Sequence, residues 1–407
     1  MEKTFKVHAP VTVFCGFLGA GKTTLLRHLL SQAESTGHEG EPVRWAAVVN
    51  DVAAVNIDGA VVGGEVAQRR ALGVGGVGEV VELGNGCVCC TGADDLGEAI
   101  ARLAASGRYT HIWVESSGVA DPRGVATLFT RKNPFGKTLA DWARLAALVT
   151  VVDVVVLADE AARAENAGGR GRSVAESGQR PLFELLLEQI ECADVVVLNQ
   201  CDRVAPEGDQ VERAEALVAG LNPRAELIRT ERGQIAAEFF TGRIRFEAQA
   251  TLGAARWVRE LNRVAAEVTG TVAKPKVLVG PARHEVKYGI TSIVYRERRG
   301  FDAGRLRALF AGGLPGVLRA KGFFWTTETP DEMGFVSVAG GVVRWETLSV
   351  WWAARIAMGR ATLADRPESV VANWAEPQGD RRQEIVLIGV GLDANALVMA
   401  LDQCLKC

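Results

Sequence analysis

Short, almost wholly apolar runs recur along the first half of the chain, and between them apolar residues return every three or four positions. The runs are Val11–Cys15 (VTVFC), Trp45–Val49 (WAAVV), His111–Val114 (HIWV), Ala147–Val152 (ALVTVV), Asp194–Leu198 (DVVVL) and Glu226–Arg229 (ELIR). They are rich in β-branched residues and do not alternate with polar ones, the pattern of strands buried on both faces of a parallel sheet. The stretches Lys22–Gln32, Leu96–Ser106, Pro181–Glu191 and Asp209–Gly220 predict helices. Alternation of this kind predicts a doubly wound α/β domain over residues 1–240.

Residues 241–284 hold one helical pattern, Leu252–Val268, and no clear strand, and read as a connector. From Glu285 the rhythm changes. A strand (EVKYGITSIVYRER) precedes a helix (FDAGRLRALFAG) and two strands (GVLRAKGFFWTTE and MGFVSVAGGVVRW), then a late strand Glu384–Val390 and a terminal helix Asp393–Leu405. That order predicts a smaller α+β domain over residues 285–407, ferredoxin-like in arrangement. The glycine-rich, charged segment Gly168–Gly178 (GGRGRSVAESG) reads as a mobile insertion.

A length of 407 residues agrees with two domains, since single cores stop growing near 250–300 residues. The net charge of −3 gives no electrostatic reason to expect nucleic acid or an anionic membrane as partner. The N-terminus carries no secretory h-region and no apolar run approaches ~18 residues, so the expected location is the cytoplasm. Eight cysteines are too sparse for a disulfide scaffold, and their clustering points to metal or redox chemistry in a reducing compartment.

Gly16–Thr23 reads GFLGAGKT, a full match to G-x-x-x-x-G-K-[ST], placed after an expected strand and at the start of an expected helix. Glycines at 16, 19 and 21, with Ala20 between the last two, let backbone N–H groups curl around phosphate oxygens beside a helix N-terminus. Lys22 would reach the β- and γ-phosphates, the Thr23 hydroxyl would bind Mg²⁺, and Thr24 completes the nucleotide-binding run. Glu115, ending the strand HIWV, stands where P-loop proteins place the acid that anchors the metal, and Gly118 follows as a γ-phosphate sensor. Asp51 lies after another strand, in the right order for a switch segment, although Asn-Asp is also an ordinary turn signal.

After DVVVL comes Asn199-Gln200-Cys201-Asp202, where GTPases carry N-K-x-D. A carboxylate at Asp202 can accept the N1–H and 2-amino groups of guanine, a donor pair that adenine lacks. Gln200 replaces the usual lysine. Its stem can lie along the base, but it brings no charge.

GNGCVCC, residues 84–90, places Cys87, Cys89 and Cys90 within four residues. Three thiolates so close suit a soft metal, and zinc, Cu(I) and iron all stay open on the residues alone. Cys87 and Cys90 also stand at C-x-x-C spacing, which keeps a redox pair open as the rival reading. No fourth cysteine or histidine lies nearby, so the site is open on one side. Cys404 and Cys407 close the chain; Cys404 is expected to pack on the terminal helix, and Cys15, Cys192 and Cys201 to act as small hydrophobes.

GFLGAGKTTLL, NDVAAVNIDGA, NGCVCCT, VESSGVADP, LLLEQIECADVVVLNQCD, YGITSIVYRERR, VLRAKGFFW and GDRRQEIVLIG together resemble the CobW-type P-loop GTPases, over nearly the whole chain. Members include zinc-responsive metallochaperones and activators of iron-type nitrile hydratase. The resemblance implies GTP hydrolysis to GDP with Mg²⁺, coupled to loading of a metal into a client metalloprotein. It places metal binding on Cys87, Cys89 and Cys90 and nucleotide contacts on Lys22, Thr23, Asn199 and Asp202. The implied cargo is Zn²⁺, with Fe²⁺ or Co²⁺ as alternatives, and a homo-oligomer is compatible with it. A zinc-responsive regulator without essential turnover is the reading from a different class. Three features depart from the family: Gln200, the TGADDL that follows the cysteines in place of T-L-R-x-D-L, and the absence of a His-rich tract. With no arginine finger or water-positioning glutamine after the P-loop, hydrolysis is expected to be slow without a client.

Overall fold

The computed structural model describes residues 9–33, 44–50, 77–83, 92–132, 136, 138–166, 172–173, 182–248, 277–280 and 290–406. In chain order, β1 (Ala9–Cys15), β2 (Trp45–Asn50), β3 (Val77–Leu83), β4 (His111–Glu115) and β5 (Ala143–Asp153) precede a two-residue β6 (Arg172–Ser173), followed by β7 (Val195–Asn199) and β8 (Glu226–Arg229). All but β6 form one seven-stranded sheet in the order β3-β2-β4-β1-β5-β7-β8, parallel at every pairing.

The apolar runs follow from a core on each face of this sheet. Val11 and Val13 of β1 and Ile112 and Val114 of β4 face one core, closed by Leu96 and Ile100 of helix Gly92–Ala105 and by Val125 and Phe129 of helix Pro122–Thr130. Phe14, Trp113, Val149 and Val151 face the other, closed by Leu25, Leu26 and Leu29 of helix Lys22–Ser31 and by Phe240. Trp113 meets Trp45 edge-on at 5.4 Å and stacks on Phe14 at 5.9 Å. Each such side chain contributes roughly 1.5–3 kcal/mol by leaving water, so neither face tolerates polar alternation.

Several elements differ from their expected extent. β5 starts at Ala143 because Ala143–Leu145 pair with Ala9–Val11 before a register shift. The helix Val154–Asn166 and the helix Pro122–Thr130 are additional. The latter carries a legible start signal, since Asp121 caps it by accepting from Arg123 N at 2.9 Å with proline in the first turn. β3 (VGEVVEL) is also additional. It occupies a sheet edge, where acidic residues at 79 and 82 are tolerated and blur the apolar signal.

The chain divides into two compact units: Met1–Leu157 with Leu185–Glu215 and Arg224–Ala254, and Ala158–Glu184 with Ala216–Pro223 and Ala255–Cys407. The second holds β9 (Val277–Gly280), β10 (Ile290–Glu297), β11 (Val317–Phe324), β12 (Glu332–Ala339), β13 (Val342–Val350) and β14 (Gln383–Val390), in the sheet order β6-β13-β12-β11-β14-β10-β9. Pairings are antiparallel except β13 with β6. β10 and β11, joined through helix Ala303–Gly312, lie on either side of β14, which is the split β-α-β arrangement of a ferredoxin-like unit. Leu306 and Phe310 of that helix, with Leu397 and Leu401 of helix Ala394–Asp402, share a core with Ile293, Tyr295, Ile385 and Leu387.

The expected strand MGFVSVAGGVVRW is a hairpin, β12 and β13. Gly340 and Gly341 turn it with φ of 54° and 81°, the left-handed pair a two-residue hairpin requires. β9 lies in the segment read as a connector, as a four-residue edge partner of β10. Leu252–Val268 lies outside the described residues, as does Gly168–Gly178 apart from β6. Among the described residues no helix is long and apolar enough to cross a membrane.

Candidate functional site

Between β1 and helix Lys22–Ser31 the chain turns through Gly16, Gly19 and Gly21, with φ of 139°, 81° and 99°. Close approach as well as φ requires two of them. A Cβ on Gly16 would stand 2.2 Å from Val151 O, and one on Gly21 would stand 2.3 Å from Asn199 Nδ2. Gly21 is the N-cap and supplies no side-chain acceptor, so the first-turn N–H groups face outward for a ligand to satisfy. The buried Lys22 curls back so that Nζ donates to Phe17 O at 3.3 Å. Ala20 is buried beneath the loop and Thr24 is exposed. An ammonium, a curled backbone and a helix N-terminus in one place form a polyphosphate cradle.

β4 lies beside β1 in the sheet, which brings the acid predicted for the metal to the loop. The Thr23 hydroxyl donates to Glu115 Oε1 at 2.8 Å, with Glu115 only 2% exposed. A hydroxyl and a carboxylate converging are the hard oxygen donors that Mg²⁺ takes, so the residues present fit that ion. The next residues fold back over the P-loop. Ser116 Oγ donates to Phe14 O at 3.0 Å, and a Cβ on Gly118 would lie 2.9 Å from Leu18 N.

The sequence pattern gave no hint of Gln189, on helix Leu182–Cys192. Wholly buried, it donates through Nε2 to Gly118 O and Ala120 O, both at 3.3 Å, while its backbone carbonyl accepts from the Thr150 hydroxyl at 2.8 Å. Two carbonyl acceptors dictate the orientation of the amide. A buried glutamine in a helix reads as one more interior residue until its partners are seen.

At the end of β7, Asn199 is a strut. Its Nδ2 donates to Ala20 O at 2.8 Å and its Oδ1 accepts from Gly233 N at 3.0 Å, tying the P-loop to the loop after β8. Gln200 has φ +64° and lies across the P-loop, donating through Nε2 to Gly19 O at 2.9 Å. Its Oε1 accepts from Arg203 Nη1, which also donates to Asp153 Oδ2 at 2.8 Å. Asp153 Oδ1 in turn caps the next helix, accepting from Val155 N at 2.9 Å and Val156 N at 3.2 Å. Asp202 faces Arg232, with Oδ2 3.6 Å from the guanidinium Nε and Arg232 itself at φ +50°. Arg203 and Arg232 were absent from the expected site. Arg203 closes the single helical turn Cys201–Arg203 and Arg232 lies in the loop after β8, positions where an arginine reads as a solvated charge.

Asp51, Cys87, Cys89 and Cys90 lie outside the described residues. Among the described residues no group of three or more His, Cys, Asp or Glu could hold a metal. Cys15 and Cys192 are buried, and burial pushes both thiols up to about 11, which keeps them protonated. Cys404 is likewise buried and donates to Ala400 O, whereas Cys201 is half-buried rather than interior.

Residues 10–229 match the family model described as CobW/HypB/UreG, nucleotide-binding domain, and residues 290–405 match that of the cobalamin synthesis protein cobW C-terminal domain. The chain is 32% identical over 405 residues to zinc-regulated GTPase metalloprotein activator 1 of Dictyostelium discoideum, spanning 97% of this chain and 79% of that protein. It is 33% identical over 234 residues to zinc chaperone CobW of Pseudomonas aeruginosa, spanning 56% of this chain and 57% of that one. With zinc chaperone YeiR of Escherichia coli it shares 28% identity over 195 residues, 48% of this chain and 47% of that one.

Proposed function

The chain belongs to the CobW/HypB/UreG family and is a GTPase, and on that premise we propose that it uses the GTP cycle to hold a zinc ion on Cys87, Cys89 and Cys90 and deliver it to a client metalloprotein. The observation that carries the reading is topological. In sequence the C-x-C-C cluster falls between Leu83, which ends β3, and Gly92, which begins the next helix. β3 ends at the carboxyl edge of the sheet, the edge from which Gly16 leaves β1 and at which Glu115 ends β4. Ligands of parallel α/β sheets gather at that edge. Relatives named for zinc regulation and zinc chaperoning support zinc as the cargo.

The chemistry proposed for each residue follows from its surroundings. Lys22 and the N–H groups of Gly16–Thr23 take the phosphate oxygens. Thr23 and Glu115 would hold Mg²⁺, which when bound neutralises charge on the β- and γ-phosphates. Gly118, lying against Leu18 of the P-loop and held by Gln189, reports whether a γ-phosphate is present. Asp202 accepts from the base. Three thiolates leave a tetrahedral ion with one open position, through which a client's ligand can enter and withdraw it. A change at Gly118 on hydrolysis then alters how tightly that ion is held, a switch biased by the nucleotide.

The test is zinc affinity by chelator competition on nucleotide-free, GDP-bound and GTP-analogue-bound protein, beside Cys89→Ser. Coupling requires the affinity to depend on the nucleotide, and the shift to be reciprocal. Equal affinities in all three states would sink the delivery reading. Iron as the metal retained after anaerobic purification would replace zinc as the cargo.

A further inference from the structure

We propose that Gln200 and Arg203 act together as the guanine motif's missing lysine, with Arg203 as a positioning residue that works through the Gln200 amide. The proposal rests on reading Asn199–Asp202 as the base-recognition motif.

In N-K-x-D the lysine brings both an aliphatic stem and a positive charge, and Gln200 by itself brings only the stem. The structure supplies the charge from three residues further on. A single nitrogen, Arg203 Nη1, donates to both Gln200 Oε1 and Asp153 Oδ2. The opposite end of the same amide, Gln200 Nε2, donates to Gly19 O of the phosphate loop at 2.9 Å. The cation therefore acts on the P-loop through one polarised amide. A donor–acceptor group whose oxygen accepts from a cation becomes a stronger donor at its nitrogen, because hydrogen bonds in a chain reinforce one another.

Asp153 makes the arrangement specific rather than incidental. Its carboxylate stands at the end of β5, opposite Asn199 in the register of β7, and is fixed by capping the helix that follows. An exposed arginine would otherwise sample many rotamers. Tethered by Asp153, it is held on Gln200. The backbone agrees: Gln200 adopts φ +64°, a conformation uncommon for a residue with a side chain, and the turn directs its amide over the loop.

Two variants and their combination test this, with affinity for a fluorescent GDP analogue as one readout and thermal unfolding of the nucleotide-free protein as the other. Arg203→Met keeps the stem and removes the charge, and is expected to weaken GDP binding about tenfold, as loss of a charge-assisted hydrogen bond does. Gln200→Lys in the Arg203→Met background should return affinity to within about twofold of the parent, whereas Gln200→Lys alone, placing two cations side by side, should gain nothing. Failure of lysine to rescue, or wild-type affinity in Arg203→Met, would overturn the proposal. A purely structural role for the Arg203–Asp153 pair would lower the unfolding temperature without rescue by lysine. Asp202→Asn is the control for the underlying motif: if it leaves the preference for GDP over IDP unaltered, the motif reading itself has failed.

Discussion

The Thr23 hydroxyl and Glu115 Oε1 stand 2.8 Å apart although 92 residues separate them in the chain. One side chain opens the helix after the P-loop and the other ends β4, and the parallel pairing of β1 with β4 brings them together. This is the pair proposed to hold Mg²⁺. Thr23→Ala should slow GTP hydrolysis on the order of 10²-fold, the loss typical of one transition-state contact, and leave GDP binding in chelator unchanged. Single-turnover hydrolysis against Mg²⁺ concentration measures it, and an unaltered Mg²⁺ dependence would exclude Thr23 from the metal site.

Asp202 and Arg232 form a loose, solvent-exposed pair, of the kind that contributes about 0–1 kcal/mol, so a base can displace the guanidinium readily. Asp202→Asn converts an acceptor pair into one acceptor and one donor. Guanine then loses a partner for its 2-amino group, while xanthine presents a carbonyl there. GTP affinity should fall about tenfold or more and xanthosine triphosphate should become the better ligand, read by competition against a labelled nucleotide.

Gln189 is the brace of the segment that follows Glu115. Gln189→Leu keeps the volume and deprives the Gly118 and Ala120 carbonyls of their shared donor. Hydrolysis should slow about tenfold while GDP affinity stays within about twofold, and stability should drop by roughly 1–3 kcal/mol from the buried carbonyls left without that partner. Equal losses in GDP binding and hydrolysis would make Gln189 a general support of the fold instead.

His111 sits inside the sheet, sharing a hydrogen bond with Thr12 Oγ1 at 2.9 Å, and burial drives its imidazolium form down to about 3. The folded state therefore does not bind a proton that the unfolded chain binds below about 6.5. Stability from this group is complete above pH 6.5 and falls by about 1.4 kcal/mol per unit as the pH drops from there toward 3. Denaturant titrations between pH 7 and 4.5 should show that slope, and His111→Gln, which has no such titration, should flatten it.

The P-loop, the acid proposed beside it and the candidate base motif could be located in the sequence because each is a local pattern that follows its own strand. Gly16–Thr23 needs only its glycines and the strand before it, and Asn199–Asp202 follows directly on DVVVL. The strand features that escaped, β3, β9 and the β12–β13 hairpin, are edge strands or a turn, where burial on one side only leaves a weak pattern. Asn199 shows the limit most clearly. Its position was legible, but not its work as a strut between Ala20 and Gly233, which are far from it and from each other in sequence.

By itself the sequence determined that this chain has a doubly wound α/β domain with a phosphate loop after its first strand, a candidate base motif after the strand DVVVL, and a second, smaller α+β domain. Periodicity and turn chemistry are local, so a single chain displays them in full. Only the tertiary structure decided that Arg203 reaches Gly19 through Gln200, that Gln189 holds Gly118, and that Thr23 meets Glu115. Those are hydrogen bonds between groups brought side by side by strand order and helix packing, and a hydrogen bond depends on an angle and a few tenths of an ångström that no spacing along the chain encodes.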